Sequence, residues 1–108
     1  MSMTEFKEGW FTETWPAVSG KAVSFRVSET LENFSSEVQE ISIFETDGIG
    51  RILALDGRIC CAESDEFIYH EMLAHTTAFT HECPSRALII GGACGGTLRE
   101  LLRHRLDY

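Results

Sequence analysis

The chain has 108 residues, 44% hydrophobic and 24% charged, a balance that suits a globular protein with room for one ordinary domain. Its formal net charge is −8, from 17 acidic and 9 basic side chains, which argues against a phosphate-neutralising surface for nucleic acid. No run approaches the roughly 20 apolar residues that span a bilayer, and the polar stretch from Met1 to Gly9 lacks the apolar centre of a secretory signal.

From Trp10 to about Glu63 the rhythm is that of strands. Val23, Phe25 and Val27 alternate with polar neighbours, and so do Ile41 and Ile43 before Phe44 ends the run; Val38 falls out of step. Asp47-Gly48 is a turn signal, Ile49 to Leu55 reads as the return strand, and Asp56-Gly57 repeats the turn before Arg58 to Ala62. Short strands joined in this way predict an antiparallel meander. Trp10 and Trp15 read as packing or interface residues.

At Ser64 the period changes. Ser64 or Asp65 is placed to cap a helix over Asp65 to Thr80, with the acidic Glu63, Asp65 and Glu66 at its start. Ile68, Met72, His75 and Phe79 recur at helical spacing and support the helix. Glu82 to Ser85 form a loop. Arg86 to Ile90 reads as a buried strand that enters the glycine-rich turn Gly91-Gly92-Ala93-Cys94-Gly95-Gly96. A helix from Thr97 to about His104 follows, with Arg99, Arg103 and Arg105 as a solvated basic face. The order apolar run, glycine turn, helix is the geometry by which a βα unit presents backbone N–H groups to a nucleotide. The fold class expected is therefore α+β to α/β: an antiparallel β-meander over residues 1–63, then over 64–108 the first α-β-α portion of an α/β domain.

The four cysteines are Cys60, Cys61, Cys83 and Cys94, with no Cys-x-x-Cys pair. Neighbours on a strand point to opposite faces, so Cys60 and Cys61 cannot chelate one metal together. His70 and His75 are five apart, about 140° around a helix, not the His-Glu-x-x-His spacing of a zinc helix. No metal is expected, and the cysteine usage predicts a reduced, cytoplasmic protein. Cys94, just before a helix, has the setting in which thiols become reactive, although the favoured reading is a simple replacement within a diverged loop.

Five segments in order carry a resemblance. They are Trp10-Phe11-Thr12-Glu13; Ser36-Glu37-Val38-Gln39-Glu40-Ile41; Gly50-Arg51-Ile52-Leu53-Ala54-Leu55-Asp56-Gly57; Asp65-Glu66-Phe67-Ile68-Tyr69-His70-Glu71-Met72-Leu73-Ala74-His75; and Leu88 to Glu100. The chain resembles the N-terminal portion of the spermidine synthases, the polyamine aminopropyltransferases. The resemblance implies an N-terminal β domain of oligomerising type and the beginning of a Rossmann-like, methyltransferase-type domain. It implies aminopropyl transfer from decarboxylated S-adenosylmethionine to putrescine, with the adenosyl donor as co-substrate and no permanently bound cofactor. Its implied partners are the polyamine and adenosyl donor, with a second copy of the chain in a dimer or tetramer. Gln39, Tyr69 and His70 fall on family positions that line the active site; Gly91, Gly92, Cys94, Gly95 and Gly96 fall on the donor-binding loop.

Two loop positions depart from the family's Gly-Gly-Gly-Asp-Gly-Gly. Ala93 is strained if its position needs a positive φ. Cys94 replaces the acidic residue that faces the substrate's amine, a charge-assisted contact worth about 1.5–3 kcal/mol; without it the repulsion of a donor carboxylate also relaxes. The resemblance places the family's ribose-binding and catalytic acids beyond Tyr108, so this chain is not expected to turn over alone. Two further readings stay open: a non-catalytic oligomerising or regulatory paralogue, and an S-adenosylmethionine-dependent methyltransferase-like binder completed by a partner chain that supplies the missing half.

Overall fold

Turn chemistry sets the register of the β region. In the computed structural model, which describes residues 6–7, 9–15 and 20–107, the chain divides into two compact units, Met1–Ser64 and Asp65–Tyr108. Most of the N-terminal stretch read above as lacking a signal lies outside the described residues. No helix among the described residues is long and apolar enough to cross a membrane.

The first unit is a six-stranded antiparallel sheet in sequence order: β1 (Phe6–Lys7), β2 (Trp10–Thr14), β3 (Ala22–Ser35), β4 (Glu40–Thr46), β5 (Gly50–Leu55) and β6 (Arg58–Ala62). The expected meander is present. Asp56 (φ 51°) and Gly57 (φ 71°) form the two-residue link from β5 to β6, the left-handed pair that matches strand twist. The preceding hairpin differs in detail: its left-handed residue is Gly50 (φ 73°), not Gly48. Thr46 pairs with Gly50 across a three-residue loop, where the hydroxyl of Thr46 donates to the Gly50 carbonyl at 2.8 Å.

The long strand β3 is shared. Ala22 to Arg26 pair with β2, and Val27 to Ser35 pair with β4 through two register shifts. Such bulges bend a strand and increase its twist. The sheet thereby curls, and Glu13 of β2, a buried residue, accepts the backbone N–H of Ile59 on β6 at 3.1 Å. One carboxylate thus ties the second strand to the sixth, a half-barrel closure. Lys21 and Arg58 add their cationic ends to the Trp15 ring, at 5.8 and 5.7 Å from its centroid.

Inside the curl lie Phe11, Phe44, Ile52, Ala54 and Ala62, with Phe25, Val27, Ile49 and Ile59 packed around them. Phe11 and Phe44 stack with centroids 4.7 Å apart, and burying a side chain of this size contributes about 1.5–3 kcal/mol. The buried face of β4 is Ser42, Phe44 and Thr46. Ile41 and Ile43 stand on its other face, half-buried and paired with Leu55 and Leu53. Hydrophobicity therefore selected the outer face of this strand, because the inner positions beside Phe44 are filled by small hydroxyl side chains.

The second unit holds α1 (Glu66–Thr80) and α2 (Gly96–Leu101). Asp65 occupies the cap position of α1 without a side-chain cap bond. The residues at helical spacing do not form the buried side: Ile68, Met72 and Phe79 are exposed, and the buried residues are His70, Ala74 and Ala78. The buried residues follow at i, i+4 and i+8, with His70 set against Gly96 of α2, whereas the large apolar Ile68 and Met72 lie on an exposed face. Arg86 to Ile90, expected as a buried strand, forms none; Leu88 and Ile90 are exposed. A strand exists only by pairing, and no other strand lies among the described residues of this unit. The second helix ends at Leu101 rather than His104, leaving it six residues long.

Candidate functional site

The glycine turn is built by its own backbone. The Gly95 N–H donates to the Gly92 carbonyl at 3.0 Å, which puts Ala93 and Cys94 at the centre of the turn. Neither has a positive φ, whereas Gly91, Gly92 and Gly95 do, at 81°, 67° and 77°. The left-handed conformations therefore fall on glycines, and the two non-glycine residues occupy corners that any L residue can take. The strain that Ala93 would carry at a positive φ does not arise.

Gly95 precedes α2, and its carbonyl accepts the Arg99 N–H at 2.9 Å. Gly96 is buried, and a side chain there would run into the imidazole of His70. This glycine serves close packing between α1 and α2. Gly91, Gly92 and Cys94 are exposed, and a Cβ on Gly91 or Gly95 would meet nothing. With only six residues, α2 sums few aligned peptide dipoles, so the loop's chemistry rests on its glycines and on the side chains around them.

His70 is the centre of that chemistry. It is 3% exposed, on the inner face of α1. One ring nitrogen, Nδ1, is bonded to the carboxylate of Glu66 one turn earlier, and the other, Nε2, is 3.3 Å from Cys94 Sγ. Arg99 grips Glu66 with both terminal nitrogens, at 2.8 and 3.0 Å. Arg99 and then His70 hold the Glu66 carboxyl down at about pKa 2. An ionised carboxylate only accepts, so Nδ1 donates to Glu66, while Nε2 faces the Cys94 thiol. Cys94, His70, Glu66 and Arg99 thus form one continuous chain of polar contacts.

A second set of contacts locks the same helices. Glu100, 1% exposed, accepts from Arg99 Nε at 2.8 Å, from His75 Nε2 at 3.1 Å and from Arg103 at 3.2 Å. Arg99 lowers the Glu100 pKa most, with His75 acting in the same direction against desolvation. His75 Nδ1 meets His104 Nε2 at 2.8 Å, and the His104 ring stands edge-on to Phe79 at 5.0 Å. Arg99, Arg103 and Arg105 are exposed, as a solvated face requires, and Arg99 and Arg103 are engaged in ion pairs as well. Among the described residues no cluster of His, Cys, Asp and Glu could hold a metal ion; Glu66 and Cys94 contact opposite nitrogens of the His70 ring and do not converge on one point.

The sequence-selected residues therefore separate. Tyr69, His70, Cys94 and the four glycines lie in the second unit. Tyr69 is 62% exposed, with its ring edge-on to His70 at 5.2 Å. Gln39 lies in the first unit, closing the turn from β3 to β4: Ser36 Oγ accepts its N–H at 3.0 Å and donates to its carbonyl at 2.9 Å. Glu66, Arg99 and Glu100 were missed as participants. The i, i+4 spacing of Glu66 and His70 was the available signal; the reach of Arg99 to Glu66 was not visible in any local pattern.

A half-barrel of six antiparallel strands followed by a helix and a glycine turn defines a class of two-part proteins with a β N-terminal domain. Residues 9–63 match the family model of the spermidine synthase tetramerisation domain, and residues 66–107 match that of the spermine/spermidine synthase domain. The chain belongs to the spermidine synthase family. It is 46% identical over 97 residues to a polyamine aminopropyltransferase of Leptospira biflexa, covering 90% of this chain and 34% of the relative. It is 40% identical over 107 residues to the spermidine synthase of Dictyostelium discoideum, covering 96% and 37%. Among solved structures, a spermidine synthase in complex with the transition-state analogue AdoDATO superposes with a TM-score of 0.85 at 38% identity, covering 96% of this chain and 35% of that one. The spermidine synthase of Thermotoga maritima gives the same TM-score and identity, with 36% of its chain covered. The chain spans about a third of the length of the relatives it matches.

Proposed function

We infer that this chain serves aminopropyl transfer from decarboxylated S-adenosylmethionine to a diamine such as putrescine, and that the turn Gly91 to Gly96 with Tyr69 and His70 is its part of the donor site. The observation that carries this reading is the exposed edge formed by Gly91, Gly92 and Cys94 beside buried His70, in a chain of this family. Open backbone at left-handed glycines lets a ligand approach closely. Tyr69 offers a hydroxyl, a group that can accept from an ammonium or amine. The reaction is displacement at carbon, with the amine as nucleophile and the sulfonium as leaving group. The test is calorimetric titration of the chain with decarboxylated and ordinary S-adenosylmethionine. Binding of the decarboxylated donor is the expected result; binding of ordinary S-adenosylmethionine alone would overturn the reading.

Cys94 favours one variation on it. A neutral thiol stands where the family has an acid, so discrimination against the carboxylate of ordinary S-adenosylmethionine is weaker here. The β unit supports self-association: Phe34 pairs with Ile41, Ile41 with Leu55 and Ile43 with Leu53, placing a row of apolar side chains on the outer face of the half-barrel. Sedimentation of the chain as a dimer or tetramer is the expected outcome.

A further inference from the structure

The Cys94–His70–Glu66 arrangement is more than a lost acidic residue. A thiol becomes a useful nucleophile when a base stands within hydrogen-bond reach and a third group orients that base. All three parts are present. Sγ of Cys94 is 3.3 Å from Nε2 of His70, Glu66 holds the opposite ring nitrogen, and Arg99 grips Glu66 in a bidentate clamp. The parts differ in access. His70 is buried and pinned against Gly96, whereas Cys94 is exposed on the turn. A small reagent can therefore reach the sulfur without reaching the base.

We propose that Cys94 is a thiol modification site, with His70 as its base and Glu66 as a positioning residue, and that its partners are low-molecular-weight disulfides. In the exchange, the Cys94 S–H proton passes to His70 Nε2 as Sγ attacks one sulfur of the disulfide R–S–S–R. The Sγ–S bond forms and the reagent's S–S bond breaks. The departing R–S⁻ recovers the proton from the imidazolium as R–SH. Two electrons move from Cys94 to the reagent, and no other oxidant is needed. The consequence for the donor loop rests on the aminopropyltransferase reading: a disulfide-linked group on Cys94 occupies the exposed edge of the turn where the adenosyl donor is proposed to bind.

Oxidised glutathione is the probe, and trypsin separates the thiols cleanly. Cys94 is the sole cysteine between Arg86 and Arg99, while Cys60, Cys61 and Cys83 all lie between Arg58 and Arg86. Mass spectrometry of the two peptides at timed quenches reads the rates in one sample. Cys94 is expected to react roughly tenfold or more faster than any of the other three. His70→Gln is expected to remove that advantage. Glu66→Gln should reduce it while the rates of the other cysteines stay unchanged, a selectivity that a general loosening of the fold would not produce. Equal rates in the unsubstituted chain overturn the proposal, and so does an advantage that survives His70→Gln. The unsubstituted comparison needs no variant, so it decides even if His70→Gln fails to fold. Addition of decarboxylated S-adenosylmethionine separates the two readings: slowed modification of Cys94 supports both. Fast, His70-dependent modification that the donor does not slow keeps the thiol site and overturns the donor loop.

Discussion

Gly96 and His70 occupy one space between them: the side chain that the glycine lacks is the volume in which the imidazole stands. The ring is thereby held on the inner face of α1, with one nitrogen toward Glu66 and the other toward Cys94. Gly96→Ala is expected to destabilise the second unit by about 1–3 kcal/mol, the usual range for overpacking. The cost should shrink when His70→Ala is introduced with it, because the collision partner is gone. Urea unfolding of the two single variants and the double variant gives the coupling directly; additive costs would show that the collision is relieved elsewhere.

Acid should weaken the same unit in a defined window. The Glu66 carboxyl lies at about 2 against an ordinary value of 4.5, chiefly through Arg99 and then His70. A depressed native pKa means that the unfolded chain binds the proton first as pH falls. The contribution is therefore complete above 4.5 and is lost progressively down to about 2. Glu100 is lowered too and acts in the same direction. Glu66→Gln should flatten part of the acid limb of stability against pH, and Arg99→Met should flatten more of it, because Arg99 is the leading cause of both shifts. Denaturant midpoints from neutral pH down to the acid limit provide the measurement.

In the β unit the critical carboxylate is Glu13. Glu13→Ala leaves the Ile59 N–H without its acceptor and is expected to cost about 1–3 kcal/mol. Glu13→Gln retains an acceptor oxygen and should cost much less. Hydrogen exchange at the Ile59 amide distinguishes the two variants: fast exchange is expected in the first and near-normal protection in the second. Equal protection in both would mean that the closure of the half-barrel does not depend on this bond.

Restoring an acid in the turn tests the proposed donor site. Cys94→Asp is expected to tighten binding of decarboxylated S-adenosylmethionine by about tenfold or more, the effect of about 1.5–3 kcal/mol from a charge-assisted contact. It should weaken binding of ordinary S-adenosylmethionine, whose carboxylate the new charge would repel. Calorimetry on both ligands reads the two effects separately, and an unchanged ratio of affinities would remove Cys94 from donor selection.

Local chemistry accounts for what was legible in advance. Asp56-Gly57 specifies a hairpin because few residue pairs take two left-handed conformations in succession, and the structure puts both there. The helix over α1 was visible from its period. Its buried side was not, because period reports only which residues share a face. Ile68, Met72 and Phe79 do share one, but the buried residues are His70, Ala74 and Ala78, with His70 against Gly96 of α2. The β4 strand repeats the lesson, with Phe44 inside among hydroxyl side chains and Ile41 and Ile43 outside. For the candidate site, the glycines and His70 were marked by their motif, while Glu66 and Arg99, which are 33 residues apart, were not.

The meander, the two turns, the first helix and the family are legible in the residues alone, since each of these rests on neighbouring residues or on motifs in order. Only the tertiary structure decided which nitrogen of His70 faces Cys94, that Gly96 is a packing glycine, that Ala93 is unstrained, and that Arg99 holds both Glu66 and Glu100. The physical reason is the same in each case. A hydrogen bond or a steric contact depends on distances of a few ångströms between groups far apart in the chain, and those distances exist only once α1 and α2 have packed.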